Sequence, residues 1–183
     1  MKAILTSIKP KWVAKILNGE KTIEIRKRFP KDYVGWVYIY CTKKYDECLW
    51  YKKNSQRYVL NYGKPTNDYL NGKVVARFWC DKVEEIKLNL AARFFTKSMN
   101  EEELLKQSCL ASKELENYLF SNICCGYAIH ITKLEIFDKP KEISEYFKWT
   151  DKKIEWYTGL PKCKVMRSLT RAPESYCYVE ADQ

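Results

Sequence analysis

The sequence predicts a mixed α+β fold, a small sheet closed on itself with helices on its outside. Three observations predict it. Apolar and polar residues alternate along several short segments, as strands with one covered face require. Helix-period segments interrupt them, giving strand–helix–strand–strand and then strand–helix–strand, with mostly antiparallel connections. The 183 residues, 46% hydrophobic and 31% charged, suffice for the core of one domain and exclude disorder, collagen and coiled coil. Strands of this count can close into a barrel.

Residues 2–8 read as the first strand, with Ile4, Leu5 and Ile8 apolar. A helix follows, with Pro10 in its first turn, where a missing N–H costs nothing. Trp12, Val13, Ile16 and Leu17 form its apolar stripe, and Asn18-Gly19 ends it as a left-handed cap. Residues 21–28 alternate, with Ile23 and Ile25 on one side and Thr22, Glu24, Arg26 and Arg28 on a polar other. Gly35 to Thr42 is a third strand, with Val37, Ile39 and Cys41 facing one way and Trp36, Tyr38 and Tyr40 the other.

The basic, Tyr-rich stretch 43–71 reads as an insertion with one short helix near 45–60. A strand over 73–83 follows. Residues 100–120 read as a helix, capped by Asn100 with Glu103 at its third position and carrying Leu104, Leu105, Leu115 and Leu119. Gly126 to Phe137 is the last long strand, stopped by Asp138-Lys139-Pro140. Residues 143–183 read as an extension of loop and short helix, with Trp149, Trp156 and Tyr157 as packing anchors. The chain thus reads as a single domain, 1–183, with an insertion and a C-terminal extension.

Charge narrows the function. Lysine plus arginine number 33 against 23 acids, a formal net charge of +10, and aromatics are 15%. Cations neutralise phosphates and flat rings stack on bases, so this composition suits nucleic acid. The excess sits in the N-terminal third: residues 1–31 carry nine basic and two acidic side chains, and 41–64 carry six and two. An anionic partner is expected there. No apolar run approaches the ~20 residues that span a bilayer. The apolar start is too short for a signal peptide, so a cytoplasmic location is expected, without membrane.

Eight cysteines, without such a signal, read as free thiols. No Cys-x-x-Cys occurs, and the one histidine, His130, lies in an apolar run, so no metal and no cofactor are expected. Cys41 and Cys80 fall on strand patterns and read as small core residues.

The densest polar cluster is Gly19-Glu20-Lys21-Thr22-Ile23-Glu24-Ile25-Arg26. Glu24 and Arg26 share a strand face, and Lys21 lies at the strand's mouth. The preceding loop brings Ser7 and Lys9 to a helix N-terminus, where free N–H groups favour an anion. If these loops meet at one end of a barrel, they line a cleft that clamps a phosphate and reads a polar base edge. The alternative is a solvated Glu24–Arg26 surface pair worth ~0–1 kcal/mol.

The spacing Gly19, Lys21, Glu24, Arg26 (G-x-K-x-x-E-x-R) resembles the signature of the ASCH domain family. The stretch from Leu5 to Arg28 and the strands near 73–83 and 126–137 fit the same pattern, and Ala172 to Val179 looks like a tail seen in some relatives. The resemblance implies a PUA-like mixed β-barrel with flanking α-helices, and a cleft beside the first helix lined by Lys9, Lys21, Glu24 and Arg26. Relatives of this kind are thought to bind RNA. One branch is a small amidohydrolase of acetylated cytidine, which sets lysine and threonine where this chain has Lys21 and Glu24. Here the lysine matches and the threonine nucleophile is replaced.

Two functions therefore stand. In the first, the protein binds RNA or a nucleotide-like small molecule through Ser7, Lys9, Lys21, Glu24, Arg26 and Tyr40, with Trp36 and Tyr38 as further stacking surfaces. In the second, it is a hydrolase of modified nucleosides or single-stranded RNA, amidohydrolase- or ribonuclease-like, with Lys21 and Glu24 as catalytic residues. A lysine held near a carboxylate and an arginine can serve as acid or base, and Tyr40 or Tyr38 would share proton transfer. A weaker third option is a protein-interaction module built on the insertion and tail.

Overall fold

The computed structural model describes residues 2–62, 69–89, 91, 93–120, 126–152 and 163–180. Strand β1 (Lys2–Ile8) enters helix α1 (Pro10–Leu17), then come β2 (Ile23–Arg26) and β3 (Gly35–Cys41). A hairpin of β4 (Cys48–Lys52) and β5 (Arg57–Asn61) is followed by β6 (Val74–Cys80), β7 (Val83–Leu88) and β8 (Phe94–Phe95). Helices α2 (Glu101–Ser108) and α3 (Ser112–Phe120) precede β9 (Gly126–His130) and β10 (Thr132–Lys141). Strands β11 (Phe147–Lys152), β12 (Cys163–Ser168) and β13 (Tyr176–Glu180) complete the order.

Two sheets form the framework. One has the order β10-β6-β3-β1-β13, the other β2-β9-β7-β8. Only two residues separate β6 from β7 and one separates β9 from β10, so the chain turns twice from one sheet to the other over a short corner. This wraps both sheets round a shared core of Ile4, Ile8, Val37, Ile39, Phe78 and Ile129, with Val13 and Leu17 of α1 packed in. The result is a mixed α+β arrangement, two sheets about one core with helices outside. Strand β1 runs parallel to β3 and antiparallel to β13, so both flanks of the first strand are paired.

The alternation read in β3 is right on both faces. Val37, Ile39 and Cys41 enter the shared core, while Tyr38 and Tyr40 enter a second apolar cluster with Leu5, Val74 and Tyr146. A third cluster lies beneath α2 and α3, where Leu104, Leu115 and Leu119 meet Ile23, Ile25 and Ile86. Cys41 and Cys80 are buried and free.

Several expectations need correction. The polar face of β2 is not solvated; all four of its residues are buried. In place of the short helix expected near 45–60, residues 48–61 form a hairpin with a single 3-10 turn, Lys53–Ser55, at its tip, because Trp50 and Tyr51 pair with Val59 and Tyr58, β-formers on both strands. The helix over 100–120 is two. The expected Asn100–Glu103 capping box starts α2, but Cys109 takes a left-handed conformation (φ 55°) that closes it. The amide of Ala111 then donates to Glu114, starting α3. The strand expected from Gly126 to Phe137 is two, β9 and β10, in different sheets, and the second runs through Pro140. Strand β10 is at a sheet edge, where a missing N–H breaks no shared ladder. Among the described residues from 143 onward, one short 3-10 turn, Ile143–Glu145, is followed by three strands, where mostly loop and short helix were expected. Trp149 is about half exposed and donates from its indole to Glu180, while Trp156 and Tyr157 lie outside the described residues.

Among the described residues no helix is long and apolar enough to cross a membrane, and no group of three His, Cys, Asp or Glu could hold a metal ion. His130 Nε2 lies 3.0 Å from the buried carboxylate of Glu84, so it is a satisfied histidine.

Candidate functional site

A cavity of about 400 Å³ opens between the N-terminal part of α1, strand β2, helix α3 and the segment before β13. Its floor is a row of three charged side chains that Gly19 makes possible. Gly19 takes φ 72°, a left-handed conformation, so the chain turns sharply off the end of α1. Lys21 then sits at the entry to β2, and strand periodicity puts Glu24 and Arg26 on one face.

Each member of the row is nearly inaccessible: Lys21 is 3%, Glu24 6% and Arg26 7% exposed. Glu24 lies between the two cations, 3.4 Å from Lys21 Nζ and 3.1 Å from Arg26 Nε. Lys21 Nζ donates to the carbonyl of Ser108 at 2.7 Å, at the C-terminal end of α2. Arg26 Nη2 donates to the carbonyl of Ser7 at 2.6 Å. Its Nε–H is near Glu24 but points off the carboxylate, so that contact is an ion pair without a hydrogen bond. Burial, the dominant influence, holds the Lys21 ammonium below the usual lysine range, and the Glu24 charge pulls the other way without restoring it.

Ser7, next to last in β1, lies beside this floor. Its hydroxyl donates to the carbonyl of Pro173 at 2.6 Å and its amide to Ser175, while Thr6 also donates to Ser175. These bonds pin residues 173–175 as one wall and bring Glu174 to the rim. Lys9, exposed at the cap of α1, and Thr42, just past β3, stand at the mouth. Trp12 of α1 and Tyr118 of α3 supply aromatic surface, and Lys21 Nζ lies 5.3 Å from the Trp12 ring centre.

The lining is balanced rather than basic. It holds Lys9, Lys21 and Arg26 against Glu24, Glu114 and Glu174. Glu114 is engaged by Lys11 at 2.9 Å.

The structure thus brings together Ser7, Lys9, Lys21, Glu24 and Arg26. It does not bring Tyr40 to them. Tyr40 is buried among the second apolar cluster and absent from the lining, as is Tyr38. Trp36 packs edge-on against Trp79 under the Arg77 guanidinium, also away from the cavity. Trp12 was legible only as core stripe, although it is three residues past Lys9. Glu114 and Tyr118 are spaced i, i+4 on α3, a shared helix face that sequence alone could not aim at β2.

The comparisons with known proteins agree with this architecture. ASCH from Zymomonas mobilis superposes with a TM-score of 0.50 at 14% identity, over 77% of this chain and 73% of that one. Its serine-to-alanine variant gives 0.56 at 13% identity, over 97% and 88%. The fold is that of an ASCH domain. The tyrosine-to-phenylalanine variant of the same Zymomonas protein gives 0.51, over 78% and 77%. At such identities the likeness is one of fold. No protein-family model matches this ASCH-fold chain, and no curated protein matches it.

Proposed function

We propose that the cavity binds RNA, or a nucleotide-like small molecule, by taking one base against the Lys21–Glu24–Arg26 floor. The observation that carries this reading is a buried row of opposed charges forming the floor of an open cavity with aromatic walls. A carboxylate offers about four acceptor positions, and Arg26, paired with Glu24 without a hydrogen bond, uses none of them. Such positions suit the amine or ring N–H of a base. Trp12 and Tyr118 suit its flat face, worth ~1–3 kcal/mol per stacked base. Lys9 and the adjacent start of α1 suit the attached phosphate.

Calorimetric titration with the four nucleoside monophosphates and a short single-stranded RNA tests this. Binding that disappears in Lys21→Ala and Arg26→Ala, with circular dichroism unchanged, supports it. Absence of binding, or affinity indifferent to both substitutions, overturns it.

A second reading has its own support. A lysine whose pKa is depressed by burial, 3.4 Å from a carboxylate, is a candidate acid–base group. On this reading the protein is a hydrolase acting on modified nucleosides or single-stranded RNA, with Lys21 moving the proton and Glu24 holding the amine. Mass spectrometry of RNA and N-acylated nucleosides after incubation decides it. Turnover lost in Lys21→Ala favours catalysis, and intact substrates throughout leave binding alone.

A further inference from the structure

The β4–β5 hairpin, outside the cavity, carries a concentration of exposed cations. Between Cys48 and Tyr62 there are three basic residues, Lys52, Lys53 and Arg57, and no acidic one. All three are exposed at the hairpin's tip, where Lys52 pairs across the ladder with Arg57. Lys52 and Lys53 make no ion pair among the described residues. On the other face of the ladder Tyr51, 42% exposed, meets the half-buried Tyr58 with ring centres 5.0 Å apart.

The hairpin is fixed to the helix that borders the cavity. Asn18, at the end of α1, donates from its amide to the Tyr58 carbonyl at 2.8 Å and accepts from the Tyr58 amide at 2.9 Å. Glu20 pairs with both Lys15 of α1 and Arg57 of the hairpin. A chain of cations therefore leads from Lys11 at the cavity end of α1, through Lys15, to Arg57 and Lys52. Five cations along this line, counting Lys53, meet two carboxylates, Glu20 and Glu114, which leaves a surplus of three.

We propose that this hairpin is a second, phosphate-binding surface, along which a single-stranded RNA whose base occupies the cavity continues over α1. It rests on the reading of the cavity as a base site, and adds a polymer track that a mononucleotide cannot use. A strand rather than a duplex fits, because a base that enters the cavity must be unpaired, and its backbone can then follow the line of cations over α1. A protein or lipid partner has less support, because the tip lacks the contiguous apolar surface such partners bury.

The test uses the full chain, a labelled ten-nucleotide single-stranded RNA of mixed sequence, and the four mononucleotides. The probe variant is the charge reversal Lys52→Glu with Lys53→Glu, both side chains exposed, so the fold is retained. The RNA should bind about tenfold more weakly to this variant at 0.1 M salt. The slope of log affinity on log salt should flatten by ~1.4, about 0.7 for each phosphate of a single strand that the variant no longer neutralises. Mononucleotide affinity should not change. Oligonucleotide affinity that survives the reversal, or mononucleotide affinity that falls in parallel, overturns the proposal. So does wild-type binding to phosphatidylserine vesicles that the reversal abolishes while RNA binding persists. If mononucleotides fail to bind yet the reversal still weakens RNA binding, the cavity reading fails while the hairpin surface stands.

Discussion

Replacing Glu24 with glutamine keeps the shape of the cavity floor and removes the single charge that lies between two buried cations. Breaking a buried ion pair by removing one partner costs about 3–5 kcal/mol. Here the lower end applies. Lys21, already held below its ordinary pKa by burial, can shed its proton and cease to be a charge. Arg26 cannot, and it keeps only the hydrogen bond to the Ser7 carbonyl. We therefore expect a loss of about 3 kcal/mol at pH 7, or roughly 6–12 °C in Tm for a chain of this size.

The pH dependence adds a signature. Lys21 has a lowered folded pKa, so between that value and the ordinary 10.5 the unfolded chain holds more protons than the folded one. Stability then rises with pH across this window. Without Glu24, whose charge raises the Lys21 pKa, the window opens at lower pH. Urea titrations of both proteins at pH 7 and pH 9 should show the deficit of Glu24→Gln narrowing at the higher pH. A deficit below about 1 kcal/mol at pH 7, or one that does not change with pH, would refute the claim that these charges are buried and coupled.

Three further outcomes are expected. Glu174→Gln, which removes the rim carboxylate carried by residues 173–175, should tighten binding of nucleoside monophosphates several-fold and leave the parent nucleosides unchanged, as read by calorimetry. Burial pushes the Glu84 carboxyl up, but bonds from Ser98, Lys82 and His130 together bring it below its ordinary value. The stability it contributes is therefore present above about pH 4.5 and lost as pH falls through the folded value, and Ser98→Ala, costing about 1 kcal/mol at pH 7, should shrink that acid-side loss in urea titrations. Tyr40→Phe should leave ligand affinity unchanged, because the side chain packs with Val74 and Tyr146 away from the cavity; a clear drop would mean that the ring reaches the ligand.

Much of the site was legible because it is local. Lys21, Glu24 and Arg26 stand within six residues, and strand periodicity alone puts the last two on one face. What covers that face was not legible. Tyr118, Glu114 and Glu174 come from segments about ninety and 150 residues away, and alternation cannot distinguish a polar face in water from one under a helix. The same limit explains Tyr40: its place on the face opposite Val37 and Ile39 was readable, but the second cluster that buries it, with Tyr146 and Leu169, was not. The hairpin was missed because its charged tip, Lys52 to Arg57, reads as a polar loop, and the pairing of Tyr51 with Tyr58 emerges only once the tip turns. The last strand, β13, draws its order from pairing with β1 at the other end of the chain, which no local pattern announces.

The bond from Ser7 to Pro173 joins residues 166 positions apart. A pocket closed by such a distant clasp cannot assemble piecemeal: one wall is missing until the outermost strands have met. Pairing of that range is slow to form. A molecule lodged there therefore props up the entire domain rather than one corner, and its departure and global unfolding should be coupled through a single equilibrium.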